Sequence, residues 1–133
     1  MFVPILEMEK NDLNQNTFLQ KLQELQVLRQ NLQALVMEEQ LIRQNLNEVE
    51  EALNEIENSE GKLFKLIGEI FVEKNKDDLI NELNSKKEIL EIKIDSLEKQ
   101  KEKLKEKIEK LQKDLEGLAE ELNKSIRISK QNQ

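Results

Sequence analysis

The chemistry available to this chain is that of carboxylates and amines. It carries 28 Asp and Glu and 21 Lys and Arg, but no His, Cys, Tyr or Trp. Without imidazole or thiol, a Ser-His-Asp triad, a cysteine nucleophile, a histidine base, a disulfide and a Cys/His metal site are all excluded. The spacing of the charges points away from catalysis. Glu98, Glu102 and Glu106 form one i,i+4 row, and Lys99, Lys103 and Lys107 form the row beside it. Such rows are a solvated helix face. Pairs such as Asp95/Lys99, Glu106/Lys110 and Glu109/Lys113 add about 0.2–0.5 kcal/mol each. A helix surface of this kind supplies no concave, water-excluding site, so neither an enzyme nor a cofactor is expected.

Charge also bears on partners. The net charge is −7. Residues 1–60 hold 4 basic and 12 acidic residues, and residues 61–133 hold 17 basic and 16 acidic. Neither half is a basic footprint, so nucleic acid is not the expected partner. No apolar run approaches the roughly 20 residues needed to span a bilayer. The stretch Met1 to Lys10 carries Glu7 and Glu9 and does not read as a signal peptide. A cytoplasmic, membrane-free protein of one domain is the expectation.

The elements that position these charges are helices with a heptad seam. From Ile80, steps of three and four reach Leu83, Lys87, Leu90, Ile94, Leu97, Lys101, Leu104, Ile108, Leu111, Leu115, Leu118 and Leu122. The alternation is unbroken, which marks a coiled-coil seam. In the first half, Leu28, Leu32, Leu35, Glu39, Ile42, Leu46, Val49, Leu53 and Ile56 repeat the scheme. Upstream, Phe18, Leu22 and Leu25 continue it, with a second step of three at Leu25–Leu28 that overwinds the seam locally.

One helix folded back on the other gives a consistent register. Ile56 faces Leu83, Val49 faces Leu90, Leu35 faces Leu104 and Leu25 faces Leu115, and each pair of residue numbers adds to 139 or 140. In that register the two polar seam residues Glu39 and Lys101 are opposite each other. A paired polar layer fixes register at some cost in stability, so these two are expected to approach one another.

Between the helices, Lys62 to Lys74 is β-prone and nearly continuous in apolar residues. Gly68-Glu69 at its centre suits a two-residue hairpin turn. Gly61 is expected to close the first helix as its C′ residue, and Asn75 to open the second as its N-cap, with Asp78 as capping-box partner. Either the strip plugs the end of the helical hairpin, or it serves assembly. A two-stranded ribbon alone is marginal in water, and one with apolar side chains on both faces wants neighbours. At the other end, Gly117 and the overwound step loosen packing. Ile126 and Ile128 drift off the seam, and Phe2-Val-Pro-Ile-Leu6 either is disordered or folds over the helix ends. Apolar residues there are candidate contacts for apolar ligands, or they simply fray.

The strip Leu63-Phe-Lys-Leu-Ile-Gly-Glu-Ile-Phe-Val72 resembles the β-hairpin of beta-type prefoldin subunits, which reads aromatic-Lys-apolar-apolar-Gly-x-apolar-apolar-Val. Lys76 to Leu83, Leu90 to Ile94 and Leu97 to Leu104 are similar to that family's second helix, and Leu32 to Leu35 and Glu48 to Leu53 to its first. The resemblance covers roughly residues 15–116 and is nearer archaeal members than eukaryotic paralogues. Glu69 stands where members often carry Pro or a small polar residue, and Met1 to Asn11 has no counterpart.

The resemblance implies a fold dominated by helix: a long antiparallel two-helix coiled coil over about 12–60 and 76–126, with one short β-hairpin at 62–74. It implies an ATP-independent chaperone subunit in a hetero-hexamer with an alpha-type prefoldin subunit, two alpha to four beta. Such a complex holds non-native client proteins at coiled-coil tips and delivers them to a group II chaperonin. Carried over by position, Phe64, Leu66, Ile67, Gly68, Ile70, Phe71 and Val72 build the body. Phe18, Leu22, Leu25, Leu115, Leu118, Leu122 and Ile126 hold substrate. A structural scaffold without clients is the alternative, and the hairpin strip discriminates the two.

Overall fold

The computed structural model describes residues 5–131. Helix α1 (Ile5–Asn58) is followed by strands β1 (Leu63–Ile67) and β2 (Ile70–Lys74) and by helix α2 (Lys76–Gln131). This is the expected pair of long helices with one hairpin between them. Both helices are longer than the heptad seam predicts. Helix α1 starts at Ile5 rather than near residue 12, because Leu6 to Lys10 are strong helix formers even where the seam repeat is missing. Helix α2 runs to Gln131 rather than about 126, since no Gly or Pro follows to stop it. Of the segment Phe2 to Leu6, residues 2–4 lie outside the described residues, and Ile5 and Leu6 open α1.

The chain divides into two compact units. The terminal unit joins Met1–Ala34 with Lys101–Gln133, and the joint unit is Leu35–Gln100. In the terminal unit, Leu25, Ile108, Leu111 and Leu115 are buried together, with Phe18, Leu28, Leu32 and Leu104 packed against them. The expected facing pair Leu25/Leu115 falls in this cluster, as do Leu28 with Leu111 and Leu32 with Ile108, whose numbers also add to 139 or 140. Lys21 reaches across to Asp114 at 3.3 Å.

In the joint unit, Val49, Leu53 and Leu90 are buried, with Ile42, Leu46, Ile80 and Leu83 against them. The polar seam position Lys87 is accommodated by reaching outward: its stem is half-buried and its ammonium stands 3.8 Å from Glu50. Arg43 bridges to Glu98 at 2.5 Å. Among the described residues no large side chain is completely buried. A two-helix seam has no second layer to cover it, so its partly buried residues, such as Leu28, Leu32 and Leu104, contribute less than the roughly 1.5–3 kcal/mol of full burial.

The helix ends at the joint are closed by side chains. The backbone N–H and the hydroxyl of Ser59 both donate to the Ile56 carbonyl, at 3.2 and 2.8 Å. The ammonium of Lys76 donates to the carbonyls of Glu57 and Ser59, at 3.1 and 3.2 Å. Gly61 is therefore not the C′ residue expected from its type. It lies beyond this closure, and its φ of +112° serves the turn into β1. Asn75 does cap α2: its side-chain oxygen accepts from the Asp77 N–H at 2.8 Å, and Asp77 and Asp78 suit the positive end of the helix.

Candidate functional site

The strands pair antiparallel, Leu63 with Lys74 through Ile67 with Ile70. Gly68 and Glu69 form the turn. Gly68 has φ of +62°, and no residue other than glycine has a positive φ among the described residues, which is the pattern of a type II′ turn. Gly68 thus stands where a side chain would strain the turn.

The hairpin is the most apolar exposed surface of the joint unit. Phe71 is 69% exposed and Ile70 68%, and Phe64, Leu66 and Ile67 are each more than half exposed. Val72 is at the margin of exposure. These are the residues that the family resemblance implies for assembly. Both strands have an open edge, because the described sheet consists of these two strands alone. Unpaired backbone groups and bare aromatic side chains together make a surface fit to add strands and faces from another chain.

Lys65 lies in the middle of β1 and donates to the carboxylate of Glu82 in α2. This hydrogen bond, with Lys74 and Lys86 further off, holds the Glu82 carboxyl below the usual carboxylate range. Neither Lys65 nor Lys76 stands out in the sequence as a site residue, since their partners are remote along the chain.

The residues expected to hold substrate are split by the structure. Leu25 and Leu115 are buried in the seam of the terminal unit, and Phe18 packs on it. Leu118 and Leu122 are half-buried, while Leu22 and Ile126 are exposed. Other exposed apolar residues accompany them: Met8, Leu13 and Leu19 on α1 and Ile128 on α2. Their signal in the sequence is being apolar at positions off the seam. Of the two register residues, Glu39 is buried and lies 3.6 Å from Arg43 on its own helix, and Lys101 is half-buried.

Among the described residues no group of carboxylates is placed to hold a metal ion, and no helix is long and apolar enough to cross a membrane. What the arrangement offers chemically is apolar contact and strand addition.

A family model described as prefoldin subunit matches residues 19–122, well over half of the chain. The prefoldin subunit beta of Archaeoglobus fulgidus is 38% identical over 73 residues, covering 53% of this chain and 63% of that protein. The prefoldin subunit beta of Pyrococcus horikoshii is 31% identical over 75 residues, covering 55% and 64%. The chain thus spans a little under two thirds of the length of these curated relatives. The crystal structure of the prefoldin beta subunit from Thermococcus strain KS-1 is similar with a TM-score of 0.72 at 32% identity, covering 76% of this chain and 90% of that one.

Proposed function

The chain belongs to the prefoldin subunit family, and from that membership we propose that it is the beta-type subunit of an ATP-independent holding chaperone. In this reading four copies assemble with two copies of an alpha-type subunit through the hairpin. The ends of the helices hold non-native proteins in the cytosol and deliver them to a group II chaperonin. The observation that supports it best is the bare ribbon: Phe64, Leu66, Ile67, Ile70 and Phe71 stand exposed on a sheet of two strands. A ribbon of this size is marginal by itself, and neighbours that cover both faces would stabilise it.

Holding by the helix ends follows from apolar contact. Leu22 and Ile126 meet a client directly, whereas Leu25 and Leu115 do so only when the seam opens. Weak contacts from several subunits add through effective concentration, so release needs no nucleotide. Glu39 and Lys101 act in this reading as a coupled pair that sets helix register. Reversing either charge lowers stability, and exchanging both, Glu39→Lys with Lys101→Glu, recovers part of it; no recovery would rule the coupling out.

Native mass spectrometry of the protein purified from its own cells tests the assembly. Four copies with two of a second helical subunit are expected, and Ile67→Asp with Phe71→Asp should abolish that complex. A monomer, a simple homodimer or unrelated partners would put the scaffold reading in its place.

A further inference from the structure

The two faces of the ribbon are not equivalent. Alternation along the strands puts Leu63, Lys65, Ile67, Ile70, Val72 and Lys74 on one face, and Phe64, Leu66, Phe71 and Glu73 on the other. On the first face Leu63 and Lys74, at the base, and Lys65 in mid-strand are half-buried; on the second all four residues are exposed. The ribbon therefore leans one particular way on its base.

Two polar clasps bear on that base, one from the ribbon to a helix and one between the two helix ends on which the ribbon stands. One is Lys65 to the carboxylate of Glu82. The other is Lys76 to the carbonyls of Glu57 and Ser59. The Lys65–Glu82 and Lys76–Ser59 contacts each join residues 17 positions apart. The two spans interlock, for Lys76 lies inside the first and Lys65 inside the second. Only residues 59–62 and Asn75 connect the strands to the helices, so the direction of the ribbon depends on these short connections, on half-buried Leu63 and on the clasps.

We propose that Lys65 and Lys76 are positioning residues for assembly, their clasps setting the direction in which the Phe64, Leu66 and Phe71 face meets its neighbours. The inference rests on the assembly reading of the hairpin. An exposed ion pair adds little to overall stability, and the helix pair has its own seam. The effect of the clasps is on population: a ribbon that swings spends part of its time in orientations that cannot dock, and apparent affinity falls by that fraction. If one orientation in ten is competent without a clasp, assembly weakens about tenfold.

The test uses the full chain with its alpha-type partner and four variants: Lys65→Glu, Glu82→Lys, the two together, and Lys76→Met. Assembly is titrated by native mass spectrometry, and hydrogen exchange over residues 63–74 is followed in the same chains alone. Lys65→Glu, Glu82→Lys and Lys76→Met should each speed exchange in the hairpin, leave both helices protected, and weaken assembly several-fold. The double exchange should restore both readouts. Wild-type affinity in Lys65→Glu and Lys76→Met, or a double exchange no better than either single one, would overturn the proposal while leaving the assembly reading intact. A wild-type chain that forms no complex with any alpha-type partner would overturn both.

Discussion

The joint unit and the terminal unit are built from the same two helices, yet they expose apolar side chains in different settings. In the joint unit the exposed residues of the hairpin sit on a strand pair whose base is tied by Ser59, Lys65, Asn75 and Lys76. In the terminal unit, Met8, Leu13, Leu19, Leu22, Ile126 and Ile128 are exposed on helices, with the Lys21–Asp114 bridge as a polar tie across the seam. Gly117 weakens the helix there, and nothing lies within 4 Å of where its side chain would be. The difference is one of support: under the proposed reading, a clasped strand gives one fixed template for a partner, and exposed positions along a helix suit clients of many shapes.

The sharpest way to break that comparison is truncation. A chain beginning near Gln15 and ending near Leu115 keeps the hairpin and the joint unit. It should assemble like the full chain but lose suppression of client aggregation in a light-scattering assay. Undiminished suppression would remove the residues before Gln15 and after Leu115 from the function. Next in size is Leu90→Ala, which empties the Val49–Leu53–Leu90 cluster of the joint unit. Urea unfolding should show a loss of about 2–3 kcal/mol, at the low end of the range for buried Leu because the seam is half open. A loss well below that would mean the cluster is not what holds the unit.

Gly117→Ala stiffens the terminal unit instead. Its open surroundings accept a methyl group, so the melting profile should gain about 0.5–1 kcal/mol. If holding depends on a loose seam, aggregation suppression should fall as stability rises, and an unchanged suppression would separate the two. The smallest effect concerns pH. Because Lys65 lowers the Glu82 carboxyl in the folded chain, the clasp's contribution is present above the ordinary carboxylate range and is lost as pH falls through the lowered value. An NMR titration should find Glu82 back in the ordinary range in Lys65→Met. An unmoved titration would show that Lys65 does not hold it.

How much of this was legible in the sequence depends on the range of the interaction. The heptad seams, the Gly68 turn and the Asn75 cap are local patterns, and the structure has each of them. Gly61 misleads because residue type suggests a helix closure that Ser59 and Lys76 in fact supply. The Lys76 and Lys65 clasps each join residues 17 or more positions apart, and no short pattern marks such pairs. The early start of α1 escapes a reading that follows the seam, since Leu6 to Lys10 favour helix without carrying the seam repeat. Met8, Leu13 and Leu19 escape it for the complementary reason: a seam defines what is buried and is silent on apolar residues placed off it.

The open edges of β1 and β2 have a consequence for the cell. A strand with unpaired backbone and bare Ile and Phe is a template for copies of itself as much as for a partner. Charged Glu73 and Lys74 near the end of β2 blunt that tendency but do not abolish it. Surplus chains would pair edge to edge or be degraded. On the assembly reading, the amount of this protein that persists should therefore track the supply of whatever covers its ribbon, making its abundance a matter of stoichiometry with that partner.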